Sequence, residues 1–152
     1  MGRGGTVEHT LVIIKPDAVS QHIVGEVLQR LEKAGLAIIA MKMVTLTKKE
    51  AEVFYAVHRR KSFFASLTDF MSSGPIVALV VGGENAIAHV RELMGATDPA
   101  QATRGTIRRD FATSIERNVI HGSDSQESAA VEIPYFFSGL DILSPSHSEH
   151  FP

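Results

Sequence analysis

The chain has 152 residues, of which 44% are hydrophobic, and its formal net charge is −2. This length favours one compact domain, and the near-neutral charge argues against a dedicated nucleic-acid site, which usually carries a cationic excess. Cysteine is absent and no apolar run is long enough to predict a membrane span, so we expect a cytoplasmic protein without disulfides, thiolate metal sites or a membrane partner.

The first half of the chain predicts two strands and three helices. Residues 10–14 form a β-branched apolar run that Lys15 and Pro16 end, as in a central strand. Apolar residues at helical spacing follow, and Gly35 stands where a glycine ends a helix. The next predicted elements are a strand at 36–46, a helix opened by a capping box of Thr47 and Glu50, and a short helix at about 62–71.

The second half predicts a strand at 76–81, a helix at about 84–94 that Gly95 ends, and an aperiodic stretch at 97–116. A loop of that length inside a compact domain is usually functional or disordered, and its arginines and apolar residues favour a functional one. A last strand carries His121, and a helix runs from a cap at 123–125 to about residue 136. Pro134 lies inside that helix and should kink or end it.

This order of elements predicts a fold of the α/β (α+β) class. Two successive βαβ units suggest a ferredoxin-like sandwich, in which helices cover a four-stranded antiparallel sheet. The helical hairpin and the long loop are insertions into that scheme. We expect residues 1–152 to form a single domain, with loosely held tails at 1–8 and 139–152.

The stretch from 118 to 125 reads Asn-Val-Ile-His-Gly-Ser-Asp-Ser. Its apolar pair delivers His121 to a strand end, before residues typical of a turn and a helix cap. A neutral imidazole displayed there can attack a phosphorus or carbon centre. Three other interpretations remain: a buried packing histidine, a metal ligand, or the base of a hydrolase that uses Ser123. The hydrolase lacks a G-x-S-x-G elbow.

A cationic segment precedes this histidine. It contains the four arginines at 104, 108, 109 and 117, against the two acidic residues at 110 and 116. Guanidinium groups suit a bound polyanion such as phosphate, although a solvated surface face is the alternative. The chain has neither a G-x-x-x-x-G-K-[ST] loop nor a G-x-G-x-x-G fingerprint, so side chains and magnesium would have to hold any nucleotide phosphates.

The stretch from Arg117 to Ser125, together with residues 105–108 and 110–111, resembles the signature of nucleoside diphosphate kinases. Further similar motifs follow the family's order. They are Ile14-Lys15-Pro16-Asp17, Phe63-Phe64, Ser73-Gly74-Pro75 and the run from Met94 to Ala100. The resemblance covers roughly residues 8 to 137. It implies the same ferredoxin-like fold and a kinase that moves the γ-phosphate of ATP to nucleoside diphosphates through a phosphohistidine.

The resemblance also implies residue roles. His121 is the nucleophile, Tyr55 and Glu132 orient it, and Ser123 supports them. Lys15 and Asn118 bind the ribose 3′-hydroxyl, and Phe63 stacks on the base. The groups that bind the phosphates are Arg91, Thr97 and Arg108. Mg²⁺ is held by the nucleotide phosphates, with Asp124 at most a partner through water. Stacking without base readout predicts broad base tolerance, and the sugar contact predicts tolerance of ribose and deoxyribose.

Two departures from the family pattern stand out. Lys61-Ser62 replaces the usual Arg-Pro or Lys-Pro, and Pro134 interrupts the last helix. The resemblance implies a homo-oligomer, either a tetramer or a hexamer, and Pro134 lies in a region that can form subunit contacts. The main rival function is a nucleotide-binding regulatory module that has lost catalysis, which the intact histidine disfavours.

Overall fold

The computed structural model describes residues 7–143, which form a four-stranded sheet and its covering helices. The strands are β1 (Val7–Ile14), β2 (Ala37–Val44), β3 (Ile76–Glu84) and β4 (Ile120–Gly122). Their order is β2-β3-β1-β4, and every neighbouring pair is antiparallel. The predicted ferredoxin-like α+β sandwich is therefore confirmed.

Seven helices connect and cover these strands in the described part of the chain. They are α1 (Pro16–Ser20), α2 (Val24–Lys33), α3 (Lys48–Phe54), α4 (Phe64–Met71), α5 (Ala86–Met94), α6 (Ile107–Phe111) and α7 (Gln126–Phe136). Short 3₁₀ helices occupy Ala56–His58, Pro99–Gln101 and Gly139–Asp141. Among residues 7–143, no helix is long and apolar enough to cross a membrane.

The central strand β1 contributes to two hydrophobic cores because its side chains alternate between the faces of the sheet. Val12 and Ile14 join one core with residues of α2, α5 and α6. Leu11 and Ile13 join the other with residues of α3, α4 and α7. All four side chains are fully buried. The end of β1 is thus held from both faces, which fixes the position of the residues that follow it.

The structure confirms the helix starts and ends that were predicted from short sequence motifs. Thr47 and Glu50 form the predicted capping box of α3. Gly35 has φ 89° just beyond α2, the conformation for which glycine is favoured. Pro134 lies inside α7, which ends at Phe136, close to the predicted end of this helix.

Two helices were not predicted from the sequence. Helix α1 has five residues, too few to show a helical period, and α6 interrupts the stretch that was predicted to be an aperiodic loop. Most of the two predicted tails, residues 1–6 and 144–152, lies outside the described residues. Within the described part, Val7 and Glu8 already pair with β3, and Gly139–Asp141 forms a 3₁₀ helix.

Candidate active site

A cavity of about 380 Å³ opens at the end of β1 and along β4, between the α3–α4 hairpin and the segment from Met94 to Asn118. Its lining brings together residues that are far apart in the sequence. The predicted residues in it are Lys15, Tyr55, Phe63, Arg91, Thr97, Arg108, Asn118, His121, Asp124 and Glu132. Ser123 is fully buried and does not line the cavity. The cavity therefore collects all the predicted site residues except Ser123, which contacts one of them.

His121 is oriented by a carboxylate on α7. Its Nε2 lies 2.9 Å from Oε1 of Glu132, and the hydroxyl of Ser123 donates to the same oxygen at 2.8 Å. Ser123 is itself fixed by the backbone N–H of Leu11, which donates to its oxygen at 3.2 Å. Because a carboxylate accepts hydrogen bonds, this contact places the ring hydrogen on Nε2 and leaves the lone pair of Nδ1 free. The histidine is thus arranged as a nucleophile.

Two aromatic rings pack against the imidazole. Phe54 and Tyr55 meet it edge-on, with ring centroids 5.6 and 6.3 Å from that of His121. The hydroxyl of Tyr55 is buried and has no hydrogen-bond partner among residues 7–143. Burial, and then the charge of Glu132, raises the pKa of this hydroxyl, which stays protonated. Tyr55 therefore restrains His121 through its ring and keeps a free O–H donor at the pocket.

A buried amine and amide lie at the floor of the cavity. Nζ of Lys15 donates to Oδ1 of Asn118 at 2.7 Å, and Nδ2 of Asn118 donates to the carbonyl of Thr97 at 3.2 Å. Burial, with a smaller contribution from Arg108, lowers the pKa of Lys15 to about 8. Asn118 and Lys15 are thus held together as one polar unit.

The predicted cationic patch divides into distinct parts. Arg108 is buried, and burial followed by the charge of Arg91 lowers its pKa to about 10. Its guanidinium donates to the carbonyls of Gly95, Asn118 and Ile120, at 3.2, 3.3 and 2.7 Å. Arg108 therefore combines a charge at the pocket with a structural role that the sequence did not indicate.

The other arginines differ in position. Arg91 is exposed, lines the cavity and donates to the carbonyl of Gly122 at 3.3 Å. Arg109 donates to the carbonyls of Pro99 and Ala100, and Arg117 lies over the ring of Phe70. Arg104, Arg109 and Arg117 do not line the cavity. Of the four arginines in the predicted patch, Arg108 alone lines the cavity, and Arg91 on α5 joins it there.

The outer end of the cavity is apolar. Phe63 and Ile115 both line it, and 47% and 59% of their surface is exposed. The hydroxyl of Ser66 on α4 donates to the carboxylate of Glu116 at 2.6 Å, which ties the hairpin to the segment that carries Ile115. Sequence reasoning missed Phe54, Ile115 and this tether. Their apolar or polar character alone does not distinguish them from surface residues, because the contacts are tertiary.

Asp124 lies at the rim and is exposed. Its carboxylate accepts from the hydroxyl of Ser128 at 2.6 Å, and this bond is the main cause that lowers its pKa. Within residues 7–143, no group of three histidine, aspartate or glutamate side chains could hold a metal ion.

Comparison with protein-family models matches residues 8–142 to the family described as "Nucleoside diphosphate kinase". Relatives of that name from Desulfosudis oleivorans and Francisella tularensis are 60% and 58% identical, over 90% and 91% of this chain and 99% of each relative.

Solved structures agree with this match. The Aquifex aeolicus nucleoside diphosphate kinase has a TM-score of 0.89 at 48% identity, covering 91% of this chain and all of that one. The Halobacterium salinarum enzyme, solved in complex with CDP, has a TM-score of 0.88 at 38% identity, covering 91% and 93%. The chain belongs to the nucleoside diphosphate kinase family and is a phosphotransferase that acts on nucleotides.

Proposed function

We propose that this pocket transfers the γ-phosphoryl group of ATP to nucleoside diphosphates by way of His121. In the first half-reaction, Nδ1 attacks the γ-phosphorus, an N–P bond forms, and the P–O bond to the β-phosphate breaks as ADP leaves with the electron pair. In the second, a β-phosphate oxygen of another diphosphate attacks the same phosphorus, and the N–P electron pair returns to Nδ1. The contact between Nε2 and Glu132 carries this proposal because it frees Nδ1.

The cations at the pocket support a phosphate site in front of His121. Arg91 and Arg108 bind and compensate the charge on the phosphate oxygens, and Thr97 adds a hydroxyl. The free hydroxyl of Tyr55 donates to a phosphoryl oxygen, which would give this buried group a hydrogen-bond acceptor. Positioning and charge compensation are what phosphoryl transfer chiefly requires of a protein.

Sugar and base occupy the remainder of the pocket in this proposal. Lys15 and Asn118, already hydrogen-bonded to each other, contact the ribose 3′-hydroxyl. The base stacks on Phe63 at the apolar outer end, where Ile115 faces it as well. Stacking supplies roughly 1–3 kcal/mol to any base, so broad base tolerance is expected. The Halobacterium salinarum relative was solved in complex with CDP, which supports a nucleotide as the ligand of this chain.

Mg²⁺ is the proposed cofactor, which the nucleotide phosphates would hold. Exposed Asp124 is the acidic group that would reach it through water. When bound, the ion neutralises phosphate charge and orients the phosphate chain.

A homo-oligomer, either a tetramer or a hexamer, in the cytoplasm completes the proposal. Strand β2 lies at an edge of the sheet, and its Met41 and Met43 are 53% and 59% exposed. An apolar edge strand of this kind favours burial against another chain. The cysteine-free composition suits a reducing compartment. Sedimentation equilibrium would give the number of subunits.

The experiment that tests the transfer combines labelling and kinetics. With γ-labelled ATP, the protein should take up an acid-labile, alkali-stable label, and initial rates should give parallel double-reciprocal lines, as a ping-pong reaction requires. A regulatory module would bind nucleotide without becoming labelled. A hydrolase would release phosphate and show no such label. Intersecting lines would mean direct transfer between two bound nucleotides and would contradict the proposal.

Lys15 predicts a pH dependence of nucleotide binding. Its ammonium loses its proton as the pH rises through about 8, and the charge-assisted contact with nucleotide is then lost. We expect the Kd for ADP, measured by calorimetry, to rise about tenfold between about pH 7 and about pH 9. Lys15→Met should bind weakly across this interval without the pH dependence. An unchanged Kd in the unsubstituted protein would remove Lys15 from the nucleotide site.

The contribution of Lys15 to the free energy of unfolding should rise with pH, whereas the affinity for ADP falls. Lys15 has a lower pKa in the folded state than its ordinary 10.5, so the unfolded chain binds more protons between pH 8 and 10.5. The contribution of this group to the free energy of unfolding therefore rises with pH across that interval. Denaturant titrations of the unsubstituted protein and Lys15→Met would separate it from other titrating groups. If ADP binding weakens while the free energy of unfolding rises, the weaker binding cannot be attributed to unfolding.

A further inference from the structure

The backbone just before His121 contains a strained turn. The N–H of Ile120 donates to the carbonyl of Asn118 at 2.9 Å, and Val119 between them has φ 77°. A bond from residue i+2 to residue i around a positive φ is a γ-turn of the rare, strained kind. For a β-branched residue this conformation is unfavourable, and it persists only when the surroundings impose it.

Asp17 supplies one of the bonds that impose it. The N–H of Val119 donates to Oδ2 of Asp17 at 3.0 Å, and the N–H of Lys15 donates to the carbonyl of Val119 at 2.8 Å. Both polar groups of the strained residue are therefore anchored to the segment that follows β1. Asp17 is 4% exposed, its Oδ1 has no partner among residues 7–143, and burial raises its pKa. The carboxylate of Asp17 is thus kept in an unfavourable buried environment, although it takes no part in the proposed chemistry.

The turn sets the relation between two proposed site residues. Asn118 begins it, His121 follows it directly, and both line the cavity. If Val119 relaxed to a negative φ, the direction of the chain between Asn118 and His121 would change. Their side chains would then no longer keep their present positions relative to each other. The register of β4 with β1, in which His121 faces Ile13, would also be disturbed.

We propose that Asp17 is a positioning residue, whose carboxylate holds the strained turn at Val119 and so aligns His121 with Asn118 for phosphoryl transfer. This inference rests on the proposed function of His121, but it concerns a residue that touches neither nucleotide nor the reacting atoms. Loss of the carboxylate should slow phosphorylation of a chain that still folds and still binds the base and phosphates.

The test measures phosphorylation of His121 in a single turnover with γ-labelled ATP, well below the thermal unfolding transition of each variant. Asp17→Ala should lower the rate constant about 10- to 100-fold, as expected for loss of a hydrogen bond to a charged group, at full labelling amplitude. Asp17→Asn keeps an oxygen acceptor for the N–H of Val119 and should retain most of the rate. Should Asp17→Ala not fold, Asp17→Ser, which shortens the side chain, replaces it with the same expected fall.

A second substitution tests whether Asp17 affects the rate by holding the turn at Val119. Glycine adopts a positive φ without strain, so Val119→Gly should restore most of the lost rate in the Asp17→Ala background. Thr10→Val is the matched control, because it alters another buried polar side chain whose hydroxyl has no partner among the described residues. Its rate constant should equal that of the unsubstituted protein.

The outcomes separate this proposal from the proposed function. A wild-type rate constant in Asp17→Ala, or a smaller amplitude at an unchanged rate constant, would overturn the positioning role, the latter by showing an effect on folding alone. A doubly substituted protein as slow as Asp17→Ala would also overturn it. Failure of His121 to become labelled in the unsubstituted protein would overturn the proposed function, and the positioning role with it.

Discussion

His121→Ala should abolish both the acid-labile label and turnover. The substitution removes the nitrogen that forms the N–P bond, so neither half-reaction has a carrier. Removal of a covalent nucleophile typically lowers kcat by about 10⁴-fold or more, and we expect kcat for transfer from ATP to a diphosphate to fall by at least that much. Nucleotide affinity should change little, because the proposed binding groups lie elsewhere in the cavity.

The other histidine that lines the cavity provides the matched control. His58 packs against Phe63, with ring centroids 5.6 Å apart, and within residues 7–143 the hydrogen bonds to Glu132 come from His121 and Ser123. His58→Ala should keep the label and change kcat by no more than several-fold, since it removes packing but no reacting atom. Label that survives in His121→Ala would show that another residue carries the phosphoryl group. Equal loss in both variants would indicate a general disturbance of the pocket.

The position of His121 was predictable from sequence because its signals are local. An apolar pair leads into the histidine and a Gly-Ser-Asp turn follows it, and the strand and the helix cap form as these residues predict. Its partner Glu132 was assigned by family resemblance. The structure gives a physical reason for the pairing, because His121 on β4 and Glu132 on α7 lie within hydrogen-bond distance of each other.

Features that depend on distant contacts could not be predicted. Asp17 belongs to a motif recognised in the sequence, yet nothing in that motif indicates that its carboxylate binds the N–H of Val119, more than one hundred residues away. Likewise, the contact of Phe54 with His121 joins residues that are far apart in the sequence. Apolar residues at helical spacing predict that such a side chain is buried, but they do not identify its neighbour.

The fold was predictable for a related reason. The cores depend on alternation in the strands and on helical spacing in α2 and α5, which appear in any window of the sequence long enough to contain a repeat. Helices α1 and α6 have five residues each and show no repeat. Their position follows from tertiary contacts, such as the burial of Ile107 and Arg108 on α6.

Charge counting gave the least precise prediction, and the arginines show why. Four guanidinium groups close in sequence suggested one cationic patch, but their surroundings differ. Arg108 is 6% exposed and bonded to three carbonyls, whereas Arg104 and Arg109 are exposed. Net charge determines whether a polyanion is attracted to the region, whereas burial and fixed geometry determine which side chain contacts it.

Arg108→Ala should therefore have a far larger effect than either neighbouring substitution. It removes a proposed phosphate contact and also the two hydrogen bonds from the guanidinium to the carbonyls of Asn118 and Ile120, which weakens the turn before His121. A hydrogen bond to a charged group contributes about 1.5–3 kcal/mol, so loss of both functions should lower kcat/KM by about 100-fold or more. Both kcat and KM should change, because alignment and binding are affected together.

Three variants distinguish this account from a diffuse electrostatic effect. Arg104→Ala and Arg109→Ala remove the same charge from exposed positions and should change kcat/KM by less than about threefold, as for exposed charges generally. Arg108→Lys keeps the charge but not the planar fork that reaches several carbonyls, so it should recover little activity. Equal losses in all three alanine variants, or full activity in Arg108→Lys, would mean that net charge near the pocket is what matters, and that the bonds from Arg108 to the turn do not contribute to transfer.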